Sequence, residues 1–162
     1  MVAIAIMGVL MVAVIPGFSG WLQNSQIRTA AESVQNGLQL ARTEAVNRNT
    51  AVTFTLTGND WSVDIVANAT FGIAASAVQA RKGTEGSRNA VITSNQNVVT
   101  FSGTGQATPT PATFNVKNST AGACAAVGAS TGARCMNVVV ETGGKIRMCD
   151  PAILLANNPQ GC

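Results

Sequence analysis

The chain has 162 residues, of which only 10% are charged, and it contains neither His nor Tyr. Without His, the commonest general base and metal ligand is missing, and no Gly-x-Ser-x-Gly or Ser-x-x-Lys motif occurs. We therefore expect neither an enzyme, nor a metal site, nor a bound cofactor. The net charge is +3, and residues 81–162 carry +4, a balance that permits an anionic partner without requiring one.

The first segment is an uncharged apolar run, MVAIAIMGVLMVAVI, followed by Pro16. Residues 1–22 have the length that a membrane-spanning helix needs, about 20 residues. A cleaved signal peptide is disfavoured, because no Lys or Arg precedes Arg28 and no small-residue cleavage site follows the run. A buried core helix is disfavoured, because the run is apolar on every face. We predict a helix within a membrane or a filament core, with core residues Met1, Ile4, Ile6, Gly8, Leu10, Val14 and Pro16.

Residues 23–49 predict the amphipathic half of the same helix. Apolar residues recur at spacings of three and four, which places them along one face. Pro16 is expected to kink the helix, because proline removes one backbone hydrogen bond and crowds the preceding turn. The apolar face must be covered, and residues 50–162 are expected to cover it. The face consists of Ile27, Ala31, Val34, Leu38, Ala41 and Ala45.

From residue 51 the apolar period changes to two, which is typical of strands. The first two strands are expected to form a hairpin around Gly58-Asn59-Asp60, which is favourable turn chemistry. The segments 67–77 and 103–111 are expected to be irregular. Strands are predicted at residues 51–57, 61–65, 78–82, 90–93, 98–102, 113–117, 136–141 and 145–149.

All four cysteines lie in the last quarter of the chain. None forms a Cys-x-x-Cys pair, so a zinc site is not predicted. An even number of cysteines in a region rich in small residues indicates two disulfides and an oxidising compartment. Three pairings are available, and the register of the last hairpin places Cys149 opposite Val138 rather than Cys135. This favours Cys124–Cys135 and Cys149–Cys162.

That register assumes a two-residue turn at Gly143-Gly144, so that Val140 faces Arg147. Lys145 and Arg147 then point to the same side of one strand, about 7 Å apart.

The apolar run, the amphipathic helix and the cysteine-bearing strands together resemble type IV pilins and pseudopilins. The sequence MVAIAIMGVLMVAVIP is similar to the family's anchor, while LQLARTEAVNRNTAVTF, VVTFSGTGQAT and GGKIRMCDP resemble its GspH/FimT branch. The resemblance spans nearly the whole chain and is least specific in residues 67–89 and 118–134. Family precursors carry a basic leader, a Gly at the cleavage point and a Glu close behind it. Since none of these is present, we expect the printed sequence to begin within the family's anchor.

The resemblance implies an α+β, pilin-like fold: a long N-terminal helix (segments 1–22 and 23–49) packed on an antiparallel β-sheet in a head (50–162). It implies a methylated minor pilin at or near the tip of a type IV pilus, where it helps to prime assembly. Such a subunit is first held in the bacterial inner membrane with its head in the periplasm and later lies at the cell surface. The implied partners are other major and minor pilins. The alternatives are a type II secretion pseudopilin and a major pilin of the filament shaft.

One motif in the resemblance points to DNA uptake. FimT-type subunits are implicated in it through a Gly-Arg-x-Arg motif, which matches residues 144–147, with Lys145 keeping the charge but losing the bidentate fork. Contacts with double-stranded DNA would be to phosphates, independent of sequence and weakened by salt. Two other interpretations compete with this one. In the first, the basic strand face contacts only solvent and binds no DNA. In the second, the head is chiefly a DNA-binding module. The candidate DNA-binding residues are Lys145, Arg147, Arg134 and Lys117.

Overall fold

The computed structural model describes residues 2–129, 132–156 and 158–162, with side chains described from residue 20 onward. Helix α1 spans Val2–Arg48 and continues as helix through Pro16, so the apolar and amphipathic segments form one element as predicted. Met1 lies outside the described residues. The other predicted core residues lie on α1, but their side chains are outside the described part: Ile4, Ile6, Gly8, Leu10, Val14 and Pro16.

Within the described residues, nine strands follow the helix, and a short 3-10 turn at Ala69–Phe71 lies between the second and third. The first hairpin forms where the alternation predicted it. Two segments expected to be irregular contribute strand residues, since β3 begins at Ser76 and β6 lies within 103–111. The strands are β1 Val52–Thr57, β2 Asp60–Ile65, β3 Ser76–Arg81, β4 Ala90–Ser94, β5 Val98–Phe101, β6 Ala107–Thr108, β7 Ala112–Asn118, β8 Met136–Val140 and β9 Ile146–Cys149.

The strands form two antiparallel sheets, where the sequence predicted one. The first has the order β3-β2-β1-β5-β6 and the second β4-β7-β8-β9. Strands β4 and β5 are consecutive in sequence but lie in different sheets, because the chain crosses over at residues 95–97. Asn95 stabilises the crossover: its side chain accepts from Thr113 N at 2.7 Å and donates to Pro111 O at 3.0 Å.

Helix α1 packs against both sheets with the face that the sequence predicted. All six residues of that face have no solvent exposure. Phe54 stacks on Trp61 with ring centroids 5.8 Å apart and meets Phe114 of the second sheet edge-on at 5.6 Å. One apolar core therefore joins the helix to the two sheets.

The side chain of Asn59 closes the outer edge of β4. Its amide donates to Ala90 O at 3.0 Å, and its carbonyl oxygen accepts from Ile92 N at 2.9 Å. These two bonds take the place of a neighbouring strand, because an edge strand otherwise presents unpaired backbone groups. The turn of the first sheet is thereby attached to the second sheet.

The last hairpin differs from the predicted register by one residue. Val140 pairs with Ile146, not Arg147, and Cys149 pairs with Asn137, not Val138. The turn contains three residues, because Gly144 N bonds Glu141 O and Gly144 adopts a positive φ of 74°. In the observed register Ile146 shares the core side with Val140, and Arg147 lies on the outer face.

Candidate functional site

The helix leaves the head at about residue 27. Ile27 is fully buried, whereas Leu22, a little more than one turn earlier, is 45% exposed. The residues before it are those of the apolar run, so a long apolar stretch of α1 extends beyond the sheets that cover the rest of the helix. Among the residues that the structure describes, no helix is both long enough and apolar enough to cross a membrane.

Where the helix is covered, a glycine allows the first hairpin to approach it. A Cβ on Gly37 would lie 2.9 Å from Phe54 Cε2 and 3.1 Å from the Trp61 ring. Trp61 then donates its indole N–H to Ser33 Oγ at 2.9 Å in a buried position. The close approach positions the head on the helix, and the hydrogen bond satisfies the one polar group of the indole.

We use two names for the ends of the head. The hairpin end comprises the turns at residues 103–105 and 143–144 and helix residues 42–49. The base comprises helix residues 24–28 and the described residues of the ranges 117–134 and 150–162. Helix rise places the two ends about 27 Å apart, measured from residue 24 to residue 42.

Lys145 lies at the hairpin end and is exposed. It follows Gly144, which is buried against the carbonyl oxygen of Gly105, with the Arg42 side chain beside both glycines. A side chain at residue 144 would overlap that carbonyl, so this glycine fixes the path of the turn. The glycine of the GGKIR stretch thus has a structural role in presenting the lysine that follows it.

Arg147 lies half-buried on the outer face of β9, and its guanidinium is engaged twice. Nε donates to Glu141 at 3.1 Å, and Nη1 donates to Gly161 O of the C-terminal tail at 3.2 Å. The side chain is 26% exposed. An anion approaching this arginine therefore meets a carboxylate and a covering segment of the chain as well as the positive charge.

Arg134 and Lys117 lie at the opposite end. Arg134 pairs with Asp150 at 2.8 Å, and its backbone N–H donates to the Asn24 side chain at 3.2 Å. Lys117 is exposed near the end of β7, next to Asn118, whose amide donates to Gln26 at 3.1 Å. The structure thus separates the four predicted DNA-binding residues into Lys145 at the hairpin end, Arg147 partway along β9, and two residues at the base.

The disulfides join Cys124 to Cys135 and Cys149 to Cys162, the pairings that the sequence favoured. Both close loops of the base. The two loops are also attached to each other, because Gly128 N donates to Ala152 O at 2.9 Å. The predicted register of the last hairpin was wrong by one residue, but this did not affect the predicted pairing. In both registers Cys149 lies opposite a residue other than cysteine, Val138 in the predicted one and Asn137 in the observed one.

Two clefts open on the head, and the second of them adjoins the base. One of about 370 Å³ lies beside Trp61, Arg81 and Glu85, and another of about 460 Å³ lies between Arg28, Arg134 and Met148. Each combines basic and acidic side chains with apolar ones. Over the described part of the chain, no three His, Cys, Asp or Glu side chains lie close enough together to hold a metal ion.

The family model described as "Type II transport protein GspH" matches residues 30–144. The chain belongs to the GspH family. The matched residues include α1 from residue 30 onward and strands β1 to β8, while residues 150–162 of the base lie beyond them. No curated protein matches the chain in sequence.

Solved structures of pilus and secretion subunits share the fold of this GspH-family chain. The type IV minor pilin FimU of Pseudomonas aeruginosa aligns at 20% identity over 75% of this chain and 87% of its own, with a TM-score of 0.56. The minor pseudopilin EpsH of the Vibrio cholerae type 2 secretion system aligns at 12% identity over 78% and 98%, with a TM-score of 0.57. GspH of E. coli aligns at 15% identity over 78% and 89%, with a TM-score of 0.52. The α+β, pilin-like architecture is therefore that of the family.

Sequence reasoning missed the contacts that limit the candidate basic residues. The sequence predicted Glu141 as a strand residue, but it did not predict that this carboxylate pairs with Arg147. The contact of Arg147 with Gly161 involves the tail, which the second disulfide joins to β9. The close approach at Gly37 was also not predicted, although the sequence contains a signal for it. A glycine within the buried face of a helix indicates close packing. The amide of Asn59 gave none beyond its place in a turn.

Proposed function

We propose that this GspH-family chain is a minor pilin: a structural subunit at or near the tip of a type IV pilus that helps to prime its assembly. The observation that supports the proposal is the division of α1. Residues from Ile27 onward are covered by the head, and the preceding apolar stretch extends beyond it. A helix of this kind satisfies its own backbone hydrogen bonds, so it suits both a bilayer and the core of a helical filament.

In this proposal the extending half of α1 anchors the subunit in the inner membrane, with the head in the periplasm. It then packs among the helices of other major and minor pilins in the filament. The head then serves as a structural part of the filament and contributes no chemistry of its own. The type II secretion pseudopilin is the second candidate, because EpsH and GspH have the same fold.

The first test distinguishes the two filaments. The gene is deleted in its own organism and restored as the full chain, and two quantities are measured: sheared surface pili, and proteins released into the medium. We expect deletion to reduce pili and leave secretion intact. Loss of secretion with normal piliation would contradict the pilus assignment and favour the pseudopilin.

The second test examines the division of α1 with a matched pair of variants. Leu22 and Val46 are apolar helix residues with nearly equal exposure, 45% and 49%, but only Leu22 lies outside the covered part of the helix. Leu22→Asn places an amide in the proposed filament core and should prevent recovery of the subunit in sheared filaments. Val46→Asn should be recovered like the unmodified chain. Equal recovery of both variants would contradict the proposed use of the helix.

DNA capture remains a prediction from the resemblance. Lys145 favours it, because it is exposed on a turn fixed by Gly144. The ion pair of Arg147 with Glu141 opposes it, because the carboxylate offsets much of the charge that a phosphate would meet. A DNA contact at the hairpin end would therefore depend mainly on Lys145.

A further inference from the structure

The two loops of the base expose large apolar side chains. Val127 is 59% exposed, Leu154 52% and Leu155 50%. Residues 118–133 and 151–162 contain no Asp, Glu, Lys or Arg at all. Single exposed apolar residues are normal on a protein surface, but three on adjoining uncharged loops form a surface that favours an apolar environment.

These loops are held in place. Each is closed by a disulfide, and the bond from Gly128 N to Ala152 O joins one to the other. Asp150 further orders the tail, since its carboxylate accepts from Ala152 N at 2.8 Å. The described backbone up to Leu154 is therefore hydrogen-bonded, and less conformational entropy remains to be lost when that side chain is buried against something else.

The base lies at the point where α1 leaves the head. The backbone of Arg134 bonds Asn24, and Asn118 bonds Gln26, so both ends of the first loop contact the last helical turns before the extending stretch. The second loop is attached to the first through the bond from Gly128 N to Ala152 O and the ion pair of Arg134 with Asp150. The surface that carries the leucines is thus at the same end of the head as the apolar helix.

Basic side chains lie at the margin of this surface. Lys117 and Arg134 adjoin the first loop, and Arg88 is exposed beside Asn89, whose carbonyl oxygen accepts from Ser119 N at 2.9 Å. Exposed apolar side chains with a basic margin match an anionic membrane interface, where the apolar groups enter the headgroup region and the cations meet phosphates.

We propose that the base is a lipid-contact surface: before assembly, Leu154, Leu155 and Val127 enter the interface of the anionic leaflet from which α1 emerges, and Lys117 and Arg88 contact its headgroups. This inference rests on the proposed function, because it requires the extending half of α1 to lie in the bilayer. The contact holds the head down on the membrane, and it must be released when the subunit is extracted into the filament.

The test uses the full chain in vesicles of phosphatidylcholine and phosphatidylglycerol whose acyl chains carry bromine, which quenches tryptophan. A Trp21→Phe background removes the tryptophan on the extending helix, and Trp61 is buried. Leu155→Trp then reports on the base, and Val46→Trp, at 49% exposure on the far end of α1, is the matched control. Flotation with the vesicles separately measures anchoring by the helix.

We expect both variants to float, and only Leu155→Trp to show a blue-shifted emission and a loss of fluorescence with brominated lipid. Its quenching should weaken in vesicles of phosphatidylcholine alone. Flotation without quenching at residue 155 would overturn the lipid-contact proposal and leave the minor-pilin proposal intact. Failure to float would contradict both. A third outcome is a blue shift that occurs only at a high ratio of protein to lipid and without quenching by bromine. It would show that the base contacts a second copy of the chain, and it would overturn the proposal.

A second measurement needs no substitution. The unmodified chain is reconstituted with a photoactivatable phospholipid, and the cross-linked peptides are identified after digestion. Cross-links in residues 150–162 support the contact. Cross-links confined to α1 would overturn it, even if a tryptophan variant had failed to fold.

Discussion

At the hairpin end, tight turns pack against the helix through glycines, whereas at the base, longer loops are closed by disulfides. A Cβ on Gly144 would overlap the carbonyl oxygen of Gly105, and the charged side chain of Arg42 lies beside both glycines. In the base, residues 118–133 and 151–162 include no charged residue, and Leu154 and Leu155 are exposed. The two ends thus hold irregular backbone in different ways, by close packing around glycines at one and by covalent closure at the other.

The largest expected effect comes from opening the base. The double variant Cys149→Ser/Cys162→Ser should lose about 3 kcal/mol of the free energy of unfolding, because an open tail restores entropy to the unfolded chain. Chemical denaturation of the full chain measures the loss. Amide hydrogen exchange should accelerate in residues 150–156 and stay unchanged at the turns near residues 105 and 144. Equal acceleration at both ends would show that the two ends are not ordered independently.

The next largest effect is expected at the hairpin end, where one added methyl group should destabilise the turn. Gly144→Ala should cost about 2 kcal/mol, because a positive φ is unfavourable for alanine and the Cβ meets the Gly105 carbonyl. Gly143→Ala is the matched control, since its Cβ would meet nothing within 4 Å. Thermal melts of the two variants should differ clearly. Similar melting temperatures would mean that the turn relaxes and that close packing is not what orders this end.

The two ends also make different predictions for DNA. Lys145→Ala should weaken salt-dependent binding of double-stranded DNA and lower the slope of log affinity against log salt by about one, whereas Lys117→Ala should leave both unchanged. A titration of the full chain at two salt concentrations measures this. Binding that is lost with Lys117→Ala instead would place the DNA contact at the base.

A third variant in the same titration tests whether Arg147 contacts the DNA. Glu141→Gln removes the carboxylate beside Arg147 while keeping a polar side chain of the same shape. The affinity for DNA should rise, because Arg147 no longer shares its charge with a neighbour. Unchanged affinity would show that Arg147 is remote from the bound DNA, leaving Lys145 as the only residue of the matched motif in contact.

The smallest expected effect is a stabilisation at the hairpin end. Thr50 is 5% exposed, and its hydroxyl finds no hydrogen-bond partner among the described residues. Thr50→Val should raise the free energy of unfolding by about 1 kcal/mol, because it replaces an unsatisfied buried hydroxyl with a methyl group. Chemical denaturation would contradict this if the variant were less stable than the unmodified chain.

Regular spacing made much of the fold predictable. The buried face of α1 followed from apolar residues three and four apart, and the first hairpin followed from alternation around Gly58-Asn59. The division into two sheets did not follow, because it is set by pairings between strands that are far apart in sequence, such as β1 with β5 and β4 with β7. Local pattern carries no information about such partners.

The candidate site was less predictable than the fold for a similar reason. The sequence identified Lys145 and Arg147 by their charge and spacing, but it could not identify Glu141 as the partner of Arg147. The error in the last hairpin arose from one residue, since Gly144 takes a positive φ as the third residue of its turn. A one-residue change of register decides which side chains face the core.

The connection between α1 and β1 has a mechanical consequence. The helix ends at Arg48, and the chain reverses through residues 49–51 into β1, which lies between β2 and β5 in the interior of its sheet. A pull on the far end of the helix therefore enters the sheets at a strand that is hydrogen-bonded along both of its edges, not at an edge strand. In a subunit that is moved by its helix, the first strand to bear load is thus the one with neighbours on both sides.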